Sequence, residues 1–317
     1  MTENSSRNQP ERSGGYDDVL VPTDGSECAR VGARHGIRIA REFGATVHVV
    51  HALNTGTGFS PLGTAHTIAE GDGHRAAGRE IIDSVAQLGD GLGVDIMTEL
   101  VEGDPSETLQ DYVIDSGIDF VAMGTRGRSN IERRLLGSVT ERVVRTCPVP
   151  VLTVRTENDL SSSKEQGYTD ILLPTRGGDG SELAVDHAVS IAARFDATLH
   201  VIYVVDVRSQ ASKHSTYELE QLVDELQAVV TDAVVEQADE AGIDSRAVVQ
   251  QGTPHSAIQR YVDDHGIDLI VMGTHGRGRI ERFLLGSITE RTIRTANVPV
   301  VTVRLDEWFG ADGGKQS

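Results

Sequence analysis

Cysteine is scarce in this sequence, with Cys28 and Cys147 the two present in 317 residues. Two thiols cannot build a disulfide framework or a four-cysteine zinc cluster, so we expect both to be small buried side chains in a reducing compartment. The sequence also lacks the run of ~20 apolar residues that a membrane helix requires, and its first 15 residues contain no apolar core. These features predict a cytoplasmic protein with no membrane partner.

Lysine is equally scarce. Three lysines and 26 arginines stand against 48 acidic residues, which gives a net charge of −19 and a pI near 4.9. Nucleic acid binds basic faces, so we expect no nucleic-acid partner. Few lysines and many carboxylates are also typical of halophilic proteins, in which concentrated salt screens the charge repulsion. An ordinary acidic protein is the alternative, and a titration of stability against KCl distinguishes the two.

Several catalytic motifs are missing. The sequence contains no Gly-x4-Gly-Lys-Ser/Thr loop, no Gly-x-Gly-x-x-Gly after the first predicted strand, and no His-Glu-x-x-His helix. Phosphoryl transfer also needs an acid that holds a metal and a residue that positions the nucleophile, and neither is evident. We therefore assign no catalytic and no metal-binding residues. The repeated histidines are expected to pack in the core, and they are His35, His48, His187 and His200.

The second half of the chain repeats the first. Residues 117–155 and 266–304 are identical at 26 of 39 positions, with an offset of 149 and no gap. Earlier segments match at an offset of 152. Each repeat spans about 140 to 150 residues, far more than a solenoid repeat, so two duplicated domains are predicted. The expected boundaries are 1–15 for a disordered tail, 16–156 for domain 1, 157–168 for a linker, 169–305 for domain 2 and 306–317 for a second tail.

Each repeat alternates apolar runs with amphipathic stretches. In the first repeat the apolar runs fall at 18–23, 46–53, 119–123 and 149–154, with a weaker run at 95–101. Strands that are apolar on both faces and alternate with helices predict parallel sheets covered on both sides. The fold class is therefore α/β, with one doubly wound sheet in each repeat.

A glycine motif follows the fourth apolar strand of each repeat. It has the form Gly-x-x-Gly-x9-Gly-Ser, and it consists of Gly124, Gly127, Gly137 and Ser138 in the first repeat and of Gly273, Gly276, Gly286 and Ser287 in the second. Glycine permits close approach of the backbone to a phosphate, and the first amides of a helix donate at the positive end of its dipole. Thr140 and Thr289 add hydroxyl groups there. The motif predicts an anion site, and the alternative is a strand-to-helix loop without a ligand.

Basic residues are concentrated in the same segments. They are Arg126, Arg128, Arg133 and Arg134 in the first repeat and His275, Arg277, Arg279 and Arg282 in the second. These cations could hold a polyphosphate or a carboxylate partner. Alternatively they form a solvated face that pairs with Glu132 and Glu281. Arg126 and His275 lie inside the glycine pairs and are the individual ligand candidates.

Asp24 follows the first predicted strand. In a doubly wound sheet, ligands bind at the carboxyl ends of the strands where the winding reverses, so Asp24 and Gly124 would share one crevice if their strands flank that point. Asp24 could accept hydrogen bonds from adenine or ribose, or it could cap the helix that begins near Ser26. A carboxylate beside a triphosphate is unfavourable, which places Asp24 at the nucleoside end.

These segments together resemble the ATP-binding branch of the universal stress protein family, over residues 17–155 and 169–304. The resemblance implies five parallel strands per domain in the order 3-2-1-4-5, and two domains that pair through their last strands as an internal pseudo-dimer. It also implies the residues that contact the nucleotide. These are Pro22, Thr23, Asp24, Ala52, Met123, Gly124, Arg126, Gly127, Gly137, Ser138, Val139 and Thr140 in domain 1, and Met272, Gly273, His275, Gly276, Gly286, Ser287, Ile288 and Thr289 in domain 2.

The second repeat departs from the first at one informative position. An ungapped alignment places Arg176 where the first repeat has Asp24, whereas a shift of three residues would align Asp179 instead but would break the match of His35 with His187. With the ungapped alignment, domain 2 is expected to bind ATP more weakly than domain 1 or to prefer another anion.

The resemblance implies a stress-response protein that binds adenine nucleotide, most simply ATP with Mg²⁺, and acts by ligand-dependent recognition of a protein partner whose identity the sequence does not give. The pseudo-dimer could associate further as a homodimer. One alternative is a slow ATP hydrolase or nucleotidyl-transferring enzyme on the same sheet. The other is a nucleotide-free interaction scaffold whose glycine loops serve packing.

Overall fold

The computed structural model describes residues 15–54, 72–127, 136–158, 167–176, 182–206, 232–274 and 285–304. The first domain comprises strands β1 (Asp18–Pro22), β2 (Thr46–Leu53), β3 (Ile96–Glu102), β4 (Phe120–Gly124) and β5 (Val151–Val154), and helices α1 (Glu27–Phe43), α2 (Asp72–Ala86), α3 (Pro105–Asp115) and α4 (Ser138–Thr146). Short 3₁₀ turns lie at Gln87–Gly89 and Thr156–Asn158. The expected tails lie almost entirely outside the described residues.

The second domain repeats this order of elements. Its described strands are β6 (Asp170–Thr175), β7 (Thr198–Val205), β8 (Ser245–Gln251), β9 (Leu269–Gly273) and β10 (Val300–Val303), and its described helices are α5 (Glu182–Phe195), α6 (Asp232–Glu240), α7 (Pro254–His265) and α8 (Ser287–Thr295). None of the helices in the described segments is both long and apolar enough to cross a membrane.

Helix boundaries follow local capping chemistry. Helix α1 begins where the Ser26 hydroxyl accepts a hydrogen bond from the amide of Ala29 (3.2 Å), and it ends at Gly44, which adopts the left-handed conformation that glycine tolerates. Helix α3 begins after Asp104, whose carboxylate accepts from two amides of the first turn, and Pro105 occupies the first helical position. These local signals fix where the chain leaves the sheet and returns to it.

The strands form one ten-stranded sheet in the order β3-β2-β1-β4-β5-β10-β9-β6-β7-β8. Within each domain the pairs are parallel and the order is 3-2-1-4-5, so the predicted doubly wound α/β fold is confirmed. Strands β5 and β10 pair antiparallel at the centre, with Leu152 opposite Val301. The last strands therefore join the two domains into the predicted pseudo-dimer.

The core contains repeated polar contacts as well as apolar packing. The His48 imidazole bonds through Nε2 to Asp18 Oδ1 (2.9 Å) and through Nδ1 to the Tyr112 hydroxyl (2.9 Å). The equivalent residues of domain 2 are Asp170, His200 and Tyr261, joined at 3.0 Å in both contacts. The imidazole thus ties the first strand of each domain to a surface helix, in agreement with a packing role.

Reciprocal tyrosine–histidine hydrogen bonds cross between the domains. The hydroxyl of Tyr16 lies 2.9 Å from His187 Nδ1, and the hydroxyl of Tyr168 lies 2.7 Å from His35 Nδ1. His35 also donates through Nε2 to the carbonyl of Asn158 (3.0 Å), so its Nδ1 accepts from Tyr168. Both tyrosines are buried, and burial raises the pKa of each hydroxyl. Each contact ties the segment before the first strand of one domain to the first helix of the other.

Two arginines make a second reciprocal contact. Arg155 follows β5 and donates to the carbonyl of Ala296 (3.3 Å), the residue after helix α8. Arg304 follows β10 and donates to the carbonyl of Thr146 (2.9 Å), the last residue of α4. A cation at a helix C-terminus satisfies carbonyls that lack an intrahelical donor and complements the helix dipole. Each domain therefore stabilises the end of the other domain's last helix.

Acidic pH is expected to destabilise domain 2. Burial lowers the pKa of both His200 and His255, and Arg291 lowers that of His255 further. The folded state then binds protons less readily than the unfolded chain, so this stability is present above the unfolded pKa of ~6.5 and is lost as pH falls through the lower folded pKa. Urea denaturation of the full chain should show a smaller free energy of unfolding at pH 5.5 than at pH 7.5.

His255→Ser introduces the residue that domain 1 has at the equivalent position, Ser106. It also removes a buried Nδ1 atom that has no hydrogen-bond partner. The variant should lose less stability between the two pH values than the wild type. His74→Ser, at an exposed position on α2, is the control for histidine removal and should retain the wild-type pH dependence. An unchanged dependence in His255→Ser would show that His255 does not contribute.

Candidate functional site

The carboxyl end of β1 forms the first wall of the site. The Asp24 carboxylate accepts through Oδ1 from the amide of Ser26 (2.9 Å), and the Thr23 hydroxyl accepts from the amide of Gly25 (3.1 Å). Gly25 has a positive φ of 78°, which the tight turn into α1 requires. Because Ser26 performs the capping, Asp24 is not the N-cap residue, and its Oδ2 atom points away from the turn toward the neighbouring loop.

The carboxyl end of β4 lies directly beside this turn. A Cβ atom placed on Gly124 would lie 2.6 Å from the carbonyl oxygen of Cys28, and one on Gly32 would lie 2.8 Å from the amide nitrogen of Gly124. Glycine at both positions therefore lets α1 rest on the backbone of β4. For Gly124 this packing accounts for the requirement for glycine, and it brings the β1 and β4 loops into contact.

Asp24 and Gly127 form the closest point of that contact. A Cβ atom on Gly127 would lie only 2.4 Å from Asp24 Oδ2. Gly127 is exposed, and its φ is not in the left-handed region, so glycine is not needed there for the backbone conformation. The missing side chain instead lets the loop after β4 lie directly against the Asp24 carboxylate.

The first turn of α4 closes the other side of the loop. The amide of Gly137 donates to the carbonyl of Thr125 (2.8 Å), and the hydroxyl of Thr140 donates to the carbonyl of Gly124 (2.9 Å). Gly137 is the N-cap residue and offers no side-chain acceptor to the first amides of the helix. These amides and the exposed Ser138 hydroxyl have the chemistry to donate to an anion. Thr140 is buried, and its hydroxyl holds the helix against the strand.

The remaining predicted residues of domain 1 differ in their exposure to solvent. Pro22, Thr23 and Met123 are buried, whereas Ala52 and Val139 are partly exposed. Arg126 belongs to the loop after β4, but its guanidinium pairs with Glu157 at 3.6 Å. The other basic candidates of the loop, Arg128, Arg133 and Arg134, lie outside the described residues.

His51 is a neighbour that the sequence analysis did not identify. It lies near the carboxyl end of β2, and its Nδ1 donates to the carbonyl of Thr23 at 2.7 Å. His51 precedes the predicted contact residue Ala52 on the strand that pairs with β1, and this position could have identified it from the sequence. Domain 2 has Tyr203 at the paired position. This imidazole fixes the loop that presents Asp24.

Domain 2 reproduces the helix end of the site. Gly286 donates to the carbonyl of Thr274 (2.8 Å), and the Thr289 hydroxyl donates to the carbonyl of Gly273 (2.9 Å). Gly286 is the N-cap residue of α8 and has no capping side chain, and Ser287 is exposed. Of the other predicted residues, Met272 is buried, Ile288 is partly exposed, and His275 and Gly276 lie outside the described residues.

An arginine occupies the Asp24 position in domain 2. Pro22 pairs with Val50 in the first domain and Pro174 with Ile202 in the second, so the sheet register carries the offset of 152 through this point. Arg176 therefore follows β6 where Asp24 follows β1, as the ungapped alignment predicts. The exposed Arg176 changes the local charge by two units while the start of α8 is retained.

Comparisons with known proteins agree with this geometry. The model of the universal stress protein family matches residues 15–155 and again residues 167–304. A universal stress protein of Methanocaldococcus jannaschii is 34% identical over 142 residues, which cover 44% of this chain and 82% of that protein. A universal stress protein of Mycobacterium tuberculosis is 26% identical over 303 residues, which cover 90% of this chain and 96% of that protein.

A solved structure has the same architecture. The crystal structure of a universal stress protein from Archaeoglobus fulgidus superposes with a TM-score of 0.68 at 24% identity, covering 93% of this chain and all of that one. At this identity the likeness concerns the fold, whereas the two matches of the family model concern the sequence itself. The chain therefore belongs to the universal stress protein family and carries two of the family's domains in tandem.

Proposed function

We propose that domain 1 binds ATP in the crevice at the carboxyl ends of β1 and β4, between the Asp24 turn and the N-terminus of α4. The observation that carries this proposal is the convergence of three features at one point. The α4 N-terminus lacks a capping side chain, Gly127 places no side chain against the Asp24 carboxylate, and Asp24 lies at the same edge of the sheet. Helix amides favour phosphate, and a carboxylate favours the hydroxyl and amino donors of a nucleoside. One ligand that carries both groups is a nucleotide.

The charges of the crevice set the direction of the ligand. We expect the phosphates at Ser138 and the first turn of α4, within reach of Arg126, and the nucleoside at Asp24 and Thr23. A phosphate next to Asp24 would be repelled, so the reverse orientation is disfavoured. Mg²⁺ would be held by phosphate oxygens and water, since the described segments contain no group of three His, Cys, Asp or Glu side chains suited to a metal ion.

ATP occupancy is proposed to act by recognition, with the liganded domain presenting a surface to a protein partner. A slow hydrolase remains the alternative activity, and turnover that persists through purification and disappears in Gly127→Val would favour it. A nucleotide-free interaction scaffold is the third candidate function, and native mass spectrometry that detects no bound nucleotide would favour it.

The cellular setting follows from composition and burial. Cys28 and Cys147 are both unpaired and buried, and burial raises the pKa of the Cys147 thiol to about 11. Such thiols are unreactive and fit a reducing compartment, so we propose a cytoplasmic location. The net charge of −19 with three lysines supports a halophilic protein whose surface repulsion is screened by salt.

Calorimetric titration of the full chain with ATP should show one tight site. Domain 2 has Arg176 in place of the carboxylate that would accept hydrogen bonds from the nucleoside. Arg176→Asp restores that carboxylate and should add a second binding event of comparable affinity. Asp24→Arg should weaken the first site by about tenfold or more, since a hydrogen-bonding charged group is replaced by a non-acceptor. The same titrations test ATP binding itself.

The two substitutions serve as mutual controls, because each changes the net charge by two units in opposite directions. If both variants changed affinity according to net charge alone, the effect would be general electrostatics. Two equal sites in the wild type would contradict the asymmetry. No heat with ATP across a broad range of KCl would contradict the proposed function.

A further inference from the structure

The Arg126 guanidinium is held by a carboxylate that lies outside the crevice. Its Nη2 lies 3.6 Å from Glu157 Oε2, and 16% of the Arg126 side chain is exposed against 50% for Glu157. The same Oε2 atom lies 3.5 Å from Nε of Arg155. One half-exposed carboxylate therefore neutralises two arginines, one from the glycine loop and one from the end of β5.

The turn that carries Glu157 is fixed to domain 2. Arg155 donates to the carbonyl of Ala296, and the Asn158 side-chain amide donates to the carbonyl of Asn297. The carbonyl of Asn158 also accepts from His35 on α1. The turn Thr156–Asn158 is thus anchored at both sides of the domain boundary. If Arg126 moves, Glu157 cannot move with it without breaking contacts at that boundary.

A phosphate chain at the α4 N-terminus would compete for Arg126. It carries more negative charge than one carboxylate, and Arg126 directly follows Thr125, whose carbonyl accepts from the amide of Gly137 at the start of α4. Guanidinium pairs with phosphate in the same forked geometry that it uses with carboxylate. The contact with Glu157 is partly exposed and long, so it is weak enough to be exchanged.

We propose that Glu157 is the counter-ion that Arg126 exchanges for the nucleotide phosphates, and that this exchange links occupancy of domain 1 to the contact between Arg155 and helix α8. The inference rests on the proposed ATP site. Glu157 then lowers the affinity for ATP in the free protein. When Arg126 leaves, the Glu157 carboxylate attracts Arg155 more strongly and draws its guanidinium away from the carbonyl of Ala296. The start of α8 is the anion site of domain 2, so the same helix serves both domains.

Calorimetric titration of the full chain with ATP and Mg²⁺ tests this exchange. Glu157→Gln should bind ATP about three- to fivefold more tightly, the range expected when a weak ion pair no longer competes. Glu42→Gln makes the same change in net charge in the last turn of α1, where the partly exposed Glu42 pairs with Arg41, and should leave the affinity unchanged. Equal affinities in Glu157→Gln and the wild type would overturn the proposal.

A double-mutant cycle with Arg126→Gln separates exchange from simple repulsion. In the Arg126→Gln background, Glu157→Gln should give no further gain, because the competed cation is absent. A gain of the same size in both backgrounds would mean that Glu157 repels the phosphates directly, and the exchange would be refuted. Absence of any ATP binding by the wild type would instead remove the proposed function on which the inference rests.

Hydrogen exchange tests the link to domain 2. The amide of Ala296 donates to Thr292 and closes the last turn of α8, and its exchange should accelerate on ATP addition in the wild type but not in Arg126→Gln. An unchanged rate in the wild type, in a sample that binds ATP, would refute the link between the domains.

Discussion

Gly127→Val is expected to lower the ATP affinity of domain 1 by about 100-fold or more, equivalent to ~2.7 kcal/mol. Even the first carbon of a side chain at this position would lie 2.4 Å from Asp24 Oδ2, well inside van der Waals contact. The larger valine must displace the carboxylate that we propose as the acceptor for the nucleoside. Calorimetric titration with ATP measures the loss.

The stability of Gly127→Val should remain close to that of the wild type, because Gly127 is exposed and its backbone accepts a side chain. Gly73→Val is the matched control, since a Cβ atom at Gly73 meets no atom within 4 Å. It lies on α2, away from the crevice, and should bind ATP as the wild type does. Wild-type affinity in Gly127→Val would place the ligand elsewhere.

Gly32→Ala is expected to destabilise domain 1 by about 1–3 kcal/mol, the range for overpacking in a rigid interior. The new methyl carbon would lie 2.8 Å from the amide nitrogen of Gly124 and from the carbonyl carbon of Met123. Both are backbone atoms of β4, so they cannot be relieved by a rotamer change. Urea denaturation measures the loss, and ATP affinity should fall with it because α1 carries the Asp24 turn.

The same methyl group is acceptable elsewhere in the molecule. Domain 2 has Ala184 at the position equivalent to Gly32, where it is buried in α5. The restriction at Gly32 therefore comes from the approach of α1 to β4 and not from the fold as such. Gly73→Ala, at an open helical position, controls for the gain in helix propensity and should be neutral or slightly stabilising. Full stability in Gly32→Ala would show that the helix can move outward without cost.

The elements and their order could be predicted from the pattern of apolar residues. The strand predicted at 18–23 is observed at Asp18–Pro22, and the strand predicted at 46–53 has those bounds. Burial on both sheet faces makes such strands continuously apolar, which is why the signal is local and strong. The strand order within each domain came from the family resemblance, because periodicity alone does not specify which strands are neighbours.

The candidate site was predictable as a set of residues but not as a set of roles. The motif placed Gly124, Gly127 and Thr140 in one group, whereas the structure gives them three different functions. Gly124 permits helix packing, Gly127 permits close approach of the Asp24 carboxylate, and the Thr140 hydroxyl donates to a carbonyl. Spacing in the sequence identifies which residues come together, but the assignment of each hydroxyl or missing Cβ depends on the distance to a neighbour from another segment.

The sequence by itself determined that this chain consists of two copies of one α/β domain. The apolar strands and the glycine motifs are local patterns, and a direct comparison of the two halves shows that both patterns recur. The tertiary structure decided how the copies join and what their charged side chains do. Contacts such as Tyr16 with His187, or Arg126 with Glu157, connect residues that are 171 and 31 positions apart. No local pattern encodes them, since each depends on the directions in which two separate segments leave the sheet.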